Sequence, residues 1–134
     1  MHLPRIFASA LSVALPAALL LTVSPASAAE FEGDYVVTGE MEGGRGYKGV
    51  ARVAKTGDTY TIAWKIGQES HLGTGILSGG QLSTVFVGAG IPGVAVYRRS
   101  PDGKVLGVYT QFGGTQTAIE TWEPVPAAEG QSSR

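Results

Sequence analysis

Three glycines, Gly88, Gly90 and Gly93, stand in G-x-G-x-x-G spacing directly after the apolar run 82–87. That spacing belongs to dinucleotide-binding turns, in which a pyrophosphate rests against the N-terminus of a helix. The chemistry needs a strand before the glycines and a helix after them. Here Gly93 is followed by "VAVYRR", which alternates like a strand, and Pro92 removes one amide donor from the turn. The glycines therefore read as a flexible connection at one end of the domain, and no nucleotide or other cofactor is expected.

His71 is the only histidine after His2, and Glu69 precedes it by two residues. In a strand both would point to one face, where a His–carboxylate pair could orient a base or begin a metal site. A zinc site takes three or four ligands, and no H-x-H or E-x-x-H spacing supplies the others. No metal is expected, and the pair reads as exposed polar residues beside a turn. Glu120 and Glu123 are the carboxylates to consider for glycoside hydrolysis, but three residues apart in a strand places them on opposite faces. The serines at 70, 78, 83 and 100 lie outside any G-x-S-x-G elbow. No catalytic residue is assigned.

Aromatic side chains are the most informative residues left. Tyr60, Trp64, Phe86, Tyr97, Tyr109 and Trp122 all fall in strand-like segments, so many must face inward. They either fill a core or line a cavity for an apolar or aromatic ligand. Arg98 shares a face with Val94 and Val96 by alternation, so that Arg98 or its neighbour Arg99 points into the interior and suits a carboxylate. Tyr60, Trp64, Tyr97, Arg98, Tyr109 and Trp122 form the expected ligand-binding set.

The elements that position these residues are strands. Gly43-Gly44, Gly57-Asp58, Gly79-Gly80, Asp102-Gly103 and Gly113-Gly114 supply the positive φ of tight turns. With Gly67-Gln68-Glu69 and the 88–93 stretch, they separate eight segments near 34–41, 47–55, 60–66, 70–77, 82–87, 94–99, 104–111 and 115–123. "TYTIAWKI" places Tyr60, Ile62, Trp64 and Ile66 on one face and Thr59, Thr61, Ala63 and Lys65 on the other. Eight consecutive short strands predict an all-β, antiparallel up-and-down meander closed into a barrel, with a two-sheet β-sandwich as the alternative. A membrane-spanning barrel needs a continuous lipid-facing apolar row, which Lys48, Arg52, Lys65 and Glu120 interrupt.

The first 28 residues carry an address. Arg5 is followed by the apolar stretch 6–23 and then by Ser24-Pro25-Ala26-Ser27-Ala28, the layout of a secretory signal peptide with cleavage after Ala28. The expected organisation is a signal peptide over 1–28, one β-barrel domain over 29–123 and a disordered tail over 124–134. The product would be periplasmic or extracellular and would not be an integral membrane protein. The chain has no cysteine, which excludes disulfides and thiolate chemistry. Its net charge is −1 with the basic residues scattered, so no nucleic-acid partner is expected.

The run "YKGVARV…GDTYTIAWKIG…GTGIL…LSTVF…GVAVYRRSPDGKVLGVYT…ETW" resembles a group of small exported bacterial all-β proteins of unassigned function. In outline it is also similar to the calycin barrels, the lipocalins and avidins, which implies an exported, eight-stranded, ligand-binding barrel. Where lipocalins carry G-x-W near the first strand, this sequence has "GDYVV" at 33–37. Three functions compete: non-catalytic binding of a small ligand, an envelope protein–protein interaction module with a packed barrel, and an enzyme using His71 and a carboxylate. The first ranks highest.

Overall fold

A computed structural model describes residues 30–41 and 43–126. The expected signal peptide, its cleavage point at Ala28 and residues 127–134 of the expected tail lie outside the described residues. The tail is expected from 124, but Pro124 ends the last strand and the Val125 amide donates to the Asp34 carbonyl at 2.9 Å. The eight strands are β1 (Gly33–Glu40), β2 (Gly46–Thr56), β3 (Thr59–Ile66), β4 (Glu69–Ser78), β5 (Gln81–Gly88), β6 (Ile91–Arg99), β7 (Val105–Gln111) and β8 (Ala118–Pro124). Each pairs antiparallel with the next, and β8 returns to β1, so the sheet closes into a barrel without a sandwich-type split. Closure leaves no strand edge open to another chain. The β8 seams are the shortest: β8 pairs with β1 from Tyr35↔Pro124 to Gly39↔Glu120, and with β7 from Val105↔Trp122 to Tyr109↔Ala118.

Two connections differ from the sequence expectation. The 88–93 stretch is no long loop, because Gly88 pairs with Ile91 and the strands turn through Ala89 and Gly90 alone. Both have positive φ, 51° and 76°, as a type I′ hairpin turn requires. The three spaced glycines thus have separate jobs. Gly90 makes the turn, Gly88 lies under the His71 ring, and Gly93 lies under Phe86. The last strand starts at Ala118 rather than 115, because the 112–117 connection is turned back by a bond from the Gly114 amide to the Gln111 carbonyl.

Strand alternation sends Tyr35, Val37, Ala51, Val53, Tyr60, Ile62, Trp64 and their counterparts inward. Trp122 is fully buried at the centre. Its ring meets Tyr97 at 4.2 Å, Tyr35 at 5.4 Å and Trp64 at 6.0 Å. Trp64 passes the contact on to Phe86, and Phe86 to Tyr109, so a relay of tilted and edge-to-face rings runs the length of the interior. Glycines make room for it. A Cβ added at Gly107 would stand 2.3 Å from the Tyr97 ring, one at Gly93 2.3 Å from Phe86, and one at Gly73 2.9 Å from Trp64. Gly75 on the same strand likewise makes room for Leu82, where an added Cβ would stand 2.8 Å from its side chain.

The outside is two-sided. On β2 and β3 it carries Lys48, Arg52, Thr61 and Lys65 around one large apolar side chain, Val50. On β4 through β8 the outward face includes apolar residues adjacent by register: Leu72 beside Val87, Val85 beside Val94, and Val96 beside Val108, which neighbours Ile119. These seven side chains expose 38–61 % of their surface. Glu120, counted in the sequence among the interruptions of an outer row, faces inward and is buried.

Candidate functional site

The two ends of the barrel are built differently. At one end the chain preceding β1 folds across the opening: Phe31 is fully buried and meets Tyr60 edge-on at 6.4 Å. The Tyr35 hydroxyl donates to the Phe31 carbonyl at 2.8 Å and accepts from Arg99 Nη2 at 3.0 Å. That end is closed.

The opposite end, ringed by the β1–β2, β3–β4, β5–β6 and β7–β8 turns, opens into a cavity of about 360 Å³. This lies within the size range of small-molecule sites, roughly 300–1,000 Å³. Tyr47, Trp64, Phe86, Tyr97 and Tyr109 wall it, and His71 and Glu69 stand at its rim. On the inner side lies Glu120, only 7 % exposed. Its Oε1 accepts from the indole N–H of Trp64 at 3.1 Å, the indole N–H of Trp122 at 2.5 Å and the Tyr97 hydroxyl at 3.2 Å. Its Oε2 accepts from the Tyr47 hydroxyl at 2.5 Å. Four donors from four strands thus meet one buried carboxylate, satisfying a group that would otherwise be costly to bury.

That carboxylate governs the phenols around it. Burial pushes the Tyr47 and Tyr97 hydroxyls well above the ordinary tyrosine range, and the adjoining Glu120 adds charge repulsion and a hydrogen bond in the same direction. Tyr109 is raised by burial first, and its hydroxyl donates to the Glu40 carbonyl at 3.1 Å. All three remain neutral donors at physiological pH.

Of the expected binding set, Trp64, Tyr97 and Tyr109 line the cavity. Trp122 supports the site from beneath through Glu120, and Tyr60 belongs to the closed end. Arg98 is a correction. It points outward and donates to Gln81 Oε1 at 2.9 Å, because the face it shares with Val94 and Val96 is the outer one. Arg99 is the inward arginine, but it serves Tyr35 at the closed end. His71 Nε2 lies 3.4 Å from Glu69 Oε2, the same-face pair the spacing implied. Among the described residues no group of three His, Cys, Asp or Glu is placed to hold a metal.

Sequence reasoning missed Glu120 and Tyr47 as site residues. The signal for Glu120 was its parity: it alternates with Trp122, an obvious inward residue, and so had to face the core. Glu123, of opposite parity, faces out, with Lys104 Nζ at 3.5 Å.

No protein-family model matches the chain, and no curated protein sequence matches it. Solved structures do. A redesigned β-barrel, mFAP1, solved bound to DFHBI, is similar at 15 % identity with a TM-score of 0.61, covering 72 % of this chain and 96 % of its own. The REP1-NXSQ fatty acid transporter is similar at 12 % identity with a TM-score of 0.55, covering 75 % of this chain and all of its own. At these identities the likeness is one of fold, and it places the chain among the small eight-stranded, calycin-like barrels.

Proposed function

We propose that this is an exported barrel that binds a small apolar or aromatic ligand without transforming it. The open cavity walled by Tyr47, Trp64, Phe86, Tyr97 and Tyr109 carries the reading. The barrels it resembles include a fatty acid transporter and a barrel bound to DFHBI, which supports a binding role. Export rests on the signal-peptide layout of residues 1–28.

Native mass spectrometry of the protein exported by its own host, compared with the denatured mass, tests this. The expected result is a denatured mass lacking residues 1–28 and a native excess that vanishes on denaturation. A bare native mass, together with no binding of apolar dyes to the refolded protein, would overturn the binding role. A denatured mass retaining residues 1–28 would overturn export.

A second reading, an interaction module, is favoured by the outer apolar band on β4–β8. Its apolar side chains lie next to one another across five neighbouring strands, and contiguous exposed apolar patches mark interaction sites. Its occupant in this reading is a second copy of the chain, packed sheet against sheet around a two-fold axis. The polar β2–β3 side suits this one-sided burial and not a lipid girdle, which would have to run all round the barrel. Sedimentation across a concentration series should show a dimer that Val85→Lys with Val94→Lys dissolves. A monomer throughout, or vesicle binding without self-association, would overturn it.

A further inference from the structure

The ligand class can be narrowed by charge. The inference rests on the cavity reading above and concerns what that cavity selects. Its lining contains two carboxylates, Glu69 and Glu120, and no lysine or arginine. The inward arginine, Arg99, is at the far end, bonded to Tyr35. Among the described residues, a fatty acid or other carboxylate entering this mouth would therefore meet no lysine or arginine, and the one histidine there, His71, already faces Glu69.

What it would meet is the aromatic wall of Trp64, Phe86, Tyr97 and Tyr109, with the Glu120 carboxylate set into it. Trp64 and Phe86 lie 6.0 Å apart and nearly perpendicular, and Phe86 and Tyr109 lie 6.1 Å apart at 74°. Rings in edge-to-face contact tile a continuous wall, and a cation lodged in the cavity beside that wall, within about 6 Å of a ring, is attracted by its quadrupole. Behind them stands the Glu120 carboxyl, both of whose oxygens accept hydrogen bonds. It is fixed by its four donors, none of which neutralises it. Oε1 is saturated by three of them, whereas Oε2 accepts only from Tyr47 and keeps a lone pair. A buried carboxylate held in place with no counter-ion is a poor way to stabilise a core and a good way to hold a cation.

We infer that the cavity selects a small organic cation, an amine or quaternary ammonium with an apolar or aromatic body, caged by Trp64, Phe86, Tyr97 and Tyr109 and facing the Glu120 carboxylate.

The test uses three probes of similar size on the full exported chain, read by quenching of tryptophan fluorescence and by calorimetry. They are benzyltrimethylammonium, its uncharged isostere neopentylbenzene, and the anion 4-phenylbutyrate. The expected order is the cation about tenfold or more tighter than the hydrocarbon, with the anion weakest. Glu120→Gln should erase most of the preference for the cation while leaving the hydrocarbon's affinity within about twofold. If that variant does not fold, Tyr109→Leu at the rim should weaken the cation several-fold, and Tyr109→Phe should not. A hydrocarbon or anion that binds as tightly as the cation would overturn the charge selection and leave the cavity reading standing. Failure of all three to bind would count against both. A cation preference that survives Glu120→Gln and Tyr109→Leu alike would overturn the assignment of these residues.

Discussion

The closed and open ends of this barrel use the same materials to opposite effect. Each has a buried tyrosine, a charged group and a ring of turns. At the closed end the charged group is Arg99, whose guanidinium ties Tyr35 to the Phe31 carbonyl and so fastens the chain across the opening. At the open end the charged group is Glu120, tied only to donors that are themselves cavity wall or floor. A charge that secures a plug stabilises the fold, and a charge set into an unplugged wall is left to act on whatever enters.

This contrast can be broken most directly by truncation at each end. Phe31→Ala removes a fully buried ring from the plug and should cost about 3–5 kcal/mol in denaturant unfolding. Tyr109→Leu, at the half-exposed rim, should cost less than about 1.5 kcal/mol. Equal losses would mean that the rim is core and the cavity is not a designed space.

Gly107→Ala sets a methyl where the Tyr97 ring lies and should cost about 1–3 kcal/mol. It should also displace the Tyr97 hydroxyl from Glu120, so it tests whether the packing and the site are one structure. The same substitution at Gly103, where a Cβ meets no atom, meets only the backbone cost of its φ of 87°.

Alkaline titration sharpens the comparison further. All five tyrosines are raised above their ordinary value of 10.0, in each case by burial first. A phenol raised in the folded state contributes stability that is complete below pH 10 and is lost as pH rises toward the folded value. The unfolded chain releases protons that the folded chain retains. Stability should therefore be flat through neutral pH and fall above pH 10, by about 1.4 kcal/mol per pH unit for a phenol as buried as Tyr97. Phenolate absorbance should appear with unfolding rather than before it. Tyr35 is pulled back toward the ordinary range by Arg99, whereas Tyr47 and Tyr97 are pushed further by Glu120. Glu120→Gln should consequently lessen the rise of Tyr47 and Tyr97, and with it the loss of stability above pH 10, while leaving the rise of Tyr35 unchanged.

The smallest effect is expected at the rim turn. Ala89 holds a φ of 51° that asparagine tolerates better, and Ala89→Asn makes the Asn-Gly pair preferred in type I′ turns. A gain of about 0.5 kcal/mol, read as a higher melting temperature, is the expected outcome.

The fold was legible because strand alternation and turn glycines are local signals. "TYTIAWKI" put Tyr60, Trp64 and their neighbours inward on its own evidence, and the glycine doublets marked most of the turns. Arg98 was misplaced because β5 through β7 carry apolar residues on both faces. Alternation grouped Arg98 with Val94 and Val96 correctly but could not say which side was the interior. The carboxylate site was hidden for another reason. Tyr47, Trp64 and Tyr97 reach Glu120 across 73, 56 and 23 residues of sequence. No spacing rule spans such distances. Only the closed register brings the four strands to one point.

That register has a consequence for the order of events in folding. Glu120 and Trp122 ride on β8, the strand that joins the last hairpin to the first and has the shortest seams on both sides. Until β8 docks, the donors of β2, β3 and β6 have nothing to converge on, and long-range closure of this kind is the slow part of building a barrel. The site thus forms only once the barrel has closed. A molecule bound at Glu120 holds β8 against both of its neighbours, so occupancy should be read in slowed amide exchange along the β1–β8 and β7–β8 seams before it is read anywhere else.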